Sequence, residues 1–302
     1  MSNRDVVVRT RNVTMRYGPK SVLAGLDLEV LRGEVVALLG PNGAGKTTTI
    51  EILEGLRSPT SGDVEVLGIN PLNASAEHRA RVGVVLQSWR DHARWRVREF
   101  LHHLVVLHAP YRDDDPQWSV DGLLDRVGLA DKPNARIASL SGGQRRRLDV
   151  AVGLVGQPEL LFMDEPTVGF DPHARREFHE LMHDLSDTRS TTIVLTTHDL
   201  AEAERLADRI LILDGGTIAA NGSADELARQ VAGATEVRWR IGDDRFVHST
   251  DDATSYVREL LQREPRLTDL EVRRTTLEDT YLTMVARTAE PPAQPFAHEE
   301  EN

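Results

Sequence analysis

The chain has no cysteine. That excludes disulfides and cysteine-ligated zinc, and it is compatible with a reducing compartment. Long apolar runs are missing too. No stretch approaches the ~18 uninterrupted apolar residues of a membrane span, so the chain is not expected to cross a membrane by itself. The opening residues, MSNRDVVVRTRNVTMRYG, lack the apolar segment of a signal peptide. Lysine is scarce, with only Lys20, Lys46 and Lys132 among mostly arginine cations. The formal charge is −12, which argues against a broad nucleic-acid footprint and against non-specific adhesion to anionic membranes. No internal repeat signals two fused copies of one module. What is present, 302 residues at 40% hydrophobic and 28% charged, suits a soluble globular protein of one large or two smaller domains.

One of the three lysines stands in GPNGAGKTT, residues 40 to 48. The preceding GEVVALLG is uncharged from Val35 to Leu39, as a short buried strand would be. In the following TTTIEILEGL, Ile50, Leu53 and Leu56 recur at helical spacing, which predicts a helix from about Lys46. An ordinary glycine turn is the bland alternative, but strand, glycine loop and helix together are the context of a phosphate loop. Gly40, Gly43 and Gly45, with Pro41, Asn42 and Ala44 between them, let backbone N–H groups converge where the helix start adds positive potential. Lys46 can reach terminal phosphates, and the Thr47 hydroxyl, followed by Thr48, can ligate Mg²⁺. The expected ligand is a nucleotide.

Strand patterns occur in VVVRTRNVTMRY, LDLEV, VVALL, the alternating SGDVEVLG and RVGVVLQ. From about Val97 to Gly128 the pattern is helical, with Phe100, Leu101, Leu104, Val105 and Leu107 on one face. LLFMDEP and TTIVLTTH return to buried strands after helical stretches, and RILILDGGTIAANG suggests a hairpin at Gly215 and Gly216. Alternating strands and helices predict a mainly parallel α/β sheet. The composition then changes. SADELARQVAG opens with a capping box from Ser223 to Glu226, followed by a strand TEVRWRI, a helix around Tyr256 to Arg263, a strand LEVRR and a helix from about Leu277. The expected division is residues 1–222, a small α+β domain at 223–287, and a proline- and glutamate-rich tail at 288–302 without fixed structure.

LLFMDEP ends a strand on two carboxylates. Strand alternation points Asp164 and Glu165 to opposite faces, so they are expected to divide the work. Asp164 suits the Mg²⁺ held by Thr47, and Glu165 suits polarising a water. In LSGGQRRRLDVAVGL, Ser141, Gly142 and Gly143 precede a helix and form a second candidate anion nest; a flexible linker is the alternative.

These separated motifs, in this order, resemble the nucleotide-binding subunits of ATP-binding cassette (ABC) transporters over residues 6 to about 222. GPNGAGKTT is similar to the family's phosphate loop, LSGGQ (Leu140 to Gln144) to its signature, and LLFMDE to its Walker B strand. The resemblance implies a P-loop ATPase fold, a mixed sheet with a helical subdomain at about 88–145, and ATP with Mg²⁺ as ligands. It makes Glu165 the catalytic glutamate, His198 in LTTHD the switch histidine, and Gln87 in VVLQ the Q-loop glutamine near the γ-phosphate and metal. Tyr17 in MRYG matches the aromatic that stacks on adenine, and Asp171 in TVGFDP the D-loop aspartate, although Gly169 and Phe170 depart mildly from the usual loop. It also implies a head-to-tail dimer with a second copy or a homologous cassette, with Ser141 of one chain covering ATP held by Lys46 of the other, and separate transmembrane partner subunits at the inner face of the plasma membrane. The surroundings of the phosphate loop and signature, with TTLEDTYL at 275–282, look most like the drug- and lipid-exporting branch, without a proline usual in that late motif. Its C-terminal unit is expected to stabilise the dimer or regulate it, or to be a passive appendage.

HELMH, His179 to His183, fits the zinc-protease pattern, but no third ligand is evident, and both histidines are read as helix-surface residues. His102, His103 and His108 are read the same way. Trp89 and Trp95 are equally compatible with packing and with a docking surface, and Gln87 through Trp95 is the candidate docking loop for membrane partners. The main rival function is a soluble cassette ATPase acting on nucleic acid or ribosomes; it lacks the second cassette or cysteine zinc modules such proteins carry, and nucleic acid is not an expected partner. A nucleotide-binding module without turnover is a second rival, disfavoured by Glu165 and His198.

Overall fold

Alternating apolar and polar residues build two long antiparallel strands, β1 (Val6–Tyr17) and β2 (Lys20–Leu31), joined by a tight Gly18–Pro19 turn. β3 (Val35–Leu39) is buried at all five positions, as befits a strand covered on both faces. The glycine loop follows, then α1 (Lys46–Leu53) and β4 (Ser61–Val66), which pairs with β1 to complete an antiparallel sheet in the order β2–β1–β4. α2 (Ala76–Ala80) leads into β5 (Val82–Val85), and three helices come next: α3 (Val97–His108), α4 (Val120–Arg126) and α5 (Gly142–Leu154). The chain then alternates through β6 (Leu160–Asp164), α6 (Pro172–Asp187), β7 (Thr192–Thr197), α7 (Leu200–Leu206), β8 (Arg209–Asp214) and β9 (Thr217–Gly222). A smaller unit holds α8 (Ala224–Val231), β10 (Thr235–Ile241), β11 (Asp244–Thr250), α9 (Ala253–Arg263) and β12 (Thr268–Arg273). This computed structural model describes residues 5–85, 92–111, 119–187, 191–231, 235–242, 244–250 and 252–273. The chain divides into two compact units, 1–221 and 222–302.

In the first unit a six-stranded sheet has the order β5–β6–β7–β3–β8–β9, with the first five strands parallel. Its apolar residues Val36, Leu38, Phe162, Val194 and Leu211 join Leu23 and Leu26 of the antiparallel sheet and Ile50 and Leu53 of α1 in one core. Phe162 is fully buried there, and truncating such a ring to alanine costs ~3–5 kcal/mol. The parallel register is what creates the site. Leu39 lies opposite Thr197 and Asp164 opposite Thr196, so β3, β6 and β7 end on one edge.

Two helical expectations need correction. α1 ends at Leu53, and Gly55, at φ 75°, turns the chain away, leaving Leu56 69% exposed rather than on the buried face. The apolar face of α3 buries Val97, Phe100 and Leu101, whereas Leu107 is exposed. The smaller unit forms an antiparallel sheet β11–β10–β12 around Val237, Trp239 and Leu260, with Tyr256 and Val257 of α9 against it. The expected capping box is present: Ser223 N donates to Glu226 Oε2 at 2.9 Å, and Glu226 N donates to Ser223 Oγ at 3.3 Å. The motif at 275–282, the helix from Leu277 and the tail at 288–302 lie outside the described residues.

Candidate nucleotide site

The glycine loop leaves β3 through a space that admits no side chain. A Cβ on Gly40 would lie 2.5 Å from Leu213 O. Gly45 caps α1 at φ 108°, where a Cβ would meet Leu23 Cδ2 at 2.8 Å. Both glycines are demanded by the chain's own packing. Lys46 follows, only 5% exposed, and its Nζ donates to Gly40 O at 2.9 Å and Pro41 O at 3.3 Å. Around it a cleft of about 610 Å³ is lined by Tyr17, Lys20, Val22, Asn42, Gly43, Gly45, Lys46, Thr47, Thr48 and Glu165. Ala44 is buried behind the loop. Tyr17 stands at the mouth, 41% exposed, with the Arg57 guanidinium 5.2 Å from its ring centroid and its hydroxyl 3.5 Å from Thr48 Oγ1. An aromatic face beside a phosphate loop can take a flat heterocycle.

The two carboxylates separate as expected, but not by strand alternation alone. Asp164 ends β6, 5% exposed, and Thr47 Oγ1 donates to its Oδ2 at 3.0 Å. Thr196 Oγ1 donates to Asp164 Oδ1 at 2.5 Å and accepts from Glu165 N at 2.9 Å. Glu165 itself has φ 46°, so the chain leaves the strand in a left-handed turn. That turn aims its carboxylate at Lys46 Nζ, 3.4 Å from Oε1, and at His198 Nδ1, 3.5 Å from Oε2. Arg146, buried in α5, fixes the turn by donating through Nε to Pro166 O at 2.8 Å and through Nη2 to the carbonyls of Asp164 and Glu165 at 2.9 and 3.3 Å. Burial depresses the Arg146 pKa, opposed by the charges of Asp149, Asp164 and Glu202.

Lys46, Thr47, Asp164, Glu165 and His198 therefore meet on one edge. Thr47 and Asp164 offer adjacent oxygen donors, the chemistry a hard divalent cation such as Mg²⁺ requires. Ser141, Gly142, Gly143 and Gln144 do not line this cleft. Ser141 is the N-cap of α5, so Gly142 and Gly143 sit inside the first turn rather than before the helix. Ser141 Oγ accepts from Gln144 N at 3.3 Å, and Gln144 Oε1 accepts from Ser141 N at 3.1 Å. Asp171 is exposed, and its Oδ1 accepts from the N–H groups of His173 and Ala174 at 2.8 and 2.9 Å, bonds that lower its pKa. Phe170, unexplained from sequence, is a buried anchor packed edge-on to Phe178, ring centroids 5.9 Å apart. Gln87 and Trp89 lie outside the described residues; Trp95 packs against Phe100 and His103 and stays 37% exposed.

Sequence reasoning missed three groups around the site. Thr196 carried a signal in LTTH, as a polar residue in a buried strand. Arg146 stands between Arg145 and Arg147, and nothing in the sequence sets it apart from them. Glu54, at the end of α1, is half-buried, and its pKa is pushed up to about 8 by desolvation, with the charges of Asp164 and Glu51 adding to it. The histidines also need correction. His179 is buried at 6% exposure, whereas His183, His102 and His103 are exposed and His108 is half-buried against Gly156. Among the described residues no cluster of three or more His, Cys, Asp or Glu could hold a metal ion.

Comparison with known proteins agrees with this geometry. Residues 23–168 match the family described as ABC transporter. The chain is 41% identical over 239 residues to the daunorubicin resistance ATP-binding protein DrrA3 of Streptomyces coeruleorubidus, covering 76% of this chain and 72% of that protein. It is 36% identical over 300 residues to the Nod factor export ATP-binding protein I of Rhizobium etli, covering 92% and 93%. A dimeric structure of a bacterial ABC transporter cassette superposes with a TM-score of 0.62 at 25% identity, covering 72% of this chain and 98% of that one. The chain belongs to the family of ABC transporter ATP-binding subunits, in its exporter branch, and is an ATPase with the α/β P-loop fold.

Proposed function

We propose that the cleft beside Tyr17 binds ATP with Mg²⁺, and that the chain couples its hydrolysis to export through separate transmembrane subunits. The observation that carries this is the meeting of Lys46, the Thr47–Asp164 pair, Glu165 and His198 where three parallel strands end. Tyr17 stacks on the base, and the loop N–H groups from Asn42 to Thr48 bind the phosphates. Lys46, now held by carbonyls and by Glu165, exchanges them for the β- and γ-phosphates. Thr47 and Asp164, with Gln87, would hold Mg²⁺, which would supply neutralising charge to the phosphates. Glu165 accepts a proton from the attacking water or orients it, and His198, within reach of Glu165, steadies the γ-phosphate. Phosphoryl transfer needs little else from the protein.

Ser141, Gly142, Gly143, Gln144 and Asp171 act across a head-to-tail dimer, because they lie outside the cleft of their own chain. Attachment is peripheral, on the cytoplasmic side where ATP is supplied; among the described residues no helix is long and apolar enough to cross a membrane. The segment from 87 to 95 docks those partners. Relatives named for daunorubicin resistance and Nod factor export support drugs or lipid-like compounds as cargo. The test is Glu165→Gln. It keeps ATP affinity near normal and lowers turnover by ~10²-fold or more, whereas an equal loss of both would make the residue structural.

A further inference from the structure

The buried histidine of α6 has no place in the nucleotide cleft. Both ring nitrogens of His179 lack a hydrogen-bond partner. Facing it from α7, Glu202 is 3% exposed, and its Oε1 is also unpartnered, 4.0 Å from His179 Nε2. Unpaired buried polar groups are costly, and two that face each other can relieve the cost with one shared proton.

The other oxygen of Glu202 is engaged. Thr197 Oγ1 donates to Oε2 at 2.6 Å and accepts from Asp199 N at 3.0 Å. Asp199 Oδ1 in turn accepts from Glu202 N at 3.2 Å. These bonds tie down the residues on both sides of His198, whose own side chain is 53% exposed and reaches Glu165. Glu202 therefore sets the backbone from which His198 extends.

We propose that Glu202 is a positioning residue for His198, and that one proton shared between Glu202 and His179 governs how firmly the start of α7, and with it the backbone beside His198, is held against α6. This rests on the role given to His198 above. Desolvation is the largest influence on each partner, raising the Glu202 carboxyl and lowering the His179 ring, so burial favours an acid beside a neutral imidazole. The charged groups around the pair are Arg175 and His183 on α6, Asp199 at the N-cap of α7, Arg205 on α7 and Arg146 on α5, and hydrogen bonds from Thr197 and Thr167 oppose the rise of the Glu202 carboxyl. Asp199, paired with Arg175 at 3.0 Å, pushes Glu202 up further. In the one-proton state the Glu202 O–H donates to the ring once the gap closes by ~1 Å. Raising pH removes that proton and leaves an anion between Asp199 and an uncharged ring, which loosens α7 from α6. The pair titrates as a unit, above the usual carboxylate range.

Purified full-length chain is assayed for ATP turnover and ATP affinity from about pH 6 to pH 9, with melting temperature followed in parallel. The wild type loses turnover on the alkaline side. Glu202→Gln, which keeps an oxygen for Thr197 but cannot ionise, flattens that fall. Glu202→Leu lowers kcat about tenfold with KM for ATP within about twofold, and His179→Leu moves the alkaline fall by about half a pH unit or more. The proposal is overturned if all three profiles superimpose on the wild type. Parallel loss of kcat, ATP affinity and melting temperature in Glu202→Gln also overturns it, since that pattern is structural. His198→Ala separates the two levels. If it hydrolyses ATP normally, the role of His198 and this proposal fail together; if it is inactive while the Glu202 and His179 variants match wild type, only this proposal fails.

Discussion

Two helices of the first unit begin at glycine-rich segments, and they begin differently. At α1 the glycines are forced by the chain itself: Gly45 has a left-handed φ, and neither it nor Gly40 has room for a Cβ. The lysine that follows is buried and already engaged by Gly40, Pro41 and Glu165. At α5, Ser141 and Gly142 are exposed. Gly142 has no positive φ, and a Cβ there would meet nothing within 4 Å. Nothing among the described residues requires that glycine. A glycine with no internal steric reason, at a helix start with free surface, fits close backbone approach by something outside the chain. One candidate anion nest is finished within the protomer, and the other faces outward.

The largest expected effect tests the finished nest. Lys46→Ala removes the cation at the helix start and should lower ATP hydrolysis ~10³-fold with weakened ATP binding, measured by steady-state kinetics and titration of a fluorescent nucleotide. Lys20, which also lines the cleft, does not compensate, because it sits on β2 and not at the helix start.

Exchanging the glycines sharpens the contrast. Gly45→Ala should destabilise the fold by ~1–3 kcal/mol through its φ and its contact with Leu23, read as a lower denaturation midpoint. Gly142→Ala should leave that midpoint unchanged within error yet lower turnover about tenfold. If both alanines act on stability alone, the two helix starts are not different in kind.

The smallest effect lies at neither nest. Glu159 joins the turn before β3 to the turn before β5, with Arg81 Nε at 2.5 Å and Arg32 Nη1 at 2.7 Å. The bond from Arg81 is the main cause that lowers its pKa from 4.5 to about 2. A depressed folded pKa contributes stability that is present above the unfolded value and is lost as pH falls through the folded one. Wild type should therefore exceed Glu159→Gln by about 1 kcal/mol or less at neutral pH, given the exposure of the pair, and the gap should close between pH 4.5 and 2. Thermal melts across that range check it, and turnover at neutral pH should not move.

Legibility from sequence followed the same division. The phosphate loop, the Asp164–Glu165 strand end and the α5 cap were readable because local backbone chemistry dictates them. The parallel strands announced themselves as unbroken apolar runs. What failed depended on distant partners. His179 looked like surface because HELMH is polar, yet α7 covers it. Leu56 fitted helical spacing, but Gly55 ended the helix first. β11, DRFVHST, was not read as a strand because its polar residues dilute the alternation, and only pairing with Trp239 on β10 reveals it. The left-handed turn of Glu165, which aims the carboxylate, depends on Arg146 from another element.

The central claim is that the outward nest completes a site on a second copy of the chain. Lys46→Ala and Ser141→Arg, each inactive alone, test it directly when mixed in full-length form. A two-fold dimer of one of each gathers both defects into one site and leaves the opposite site wild type. Mixing should therefore restore hydrolysis, with a maximum near equal proportions. No recovery at any ratio, while ATP-dependent mixed dimers demonstrably form, would contradict it.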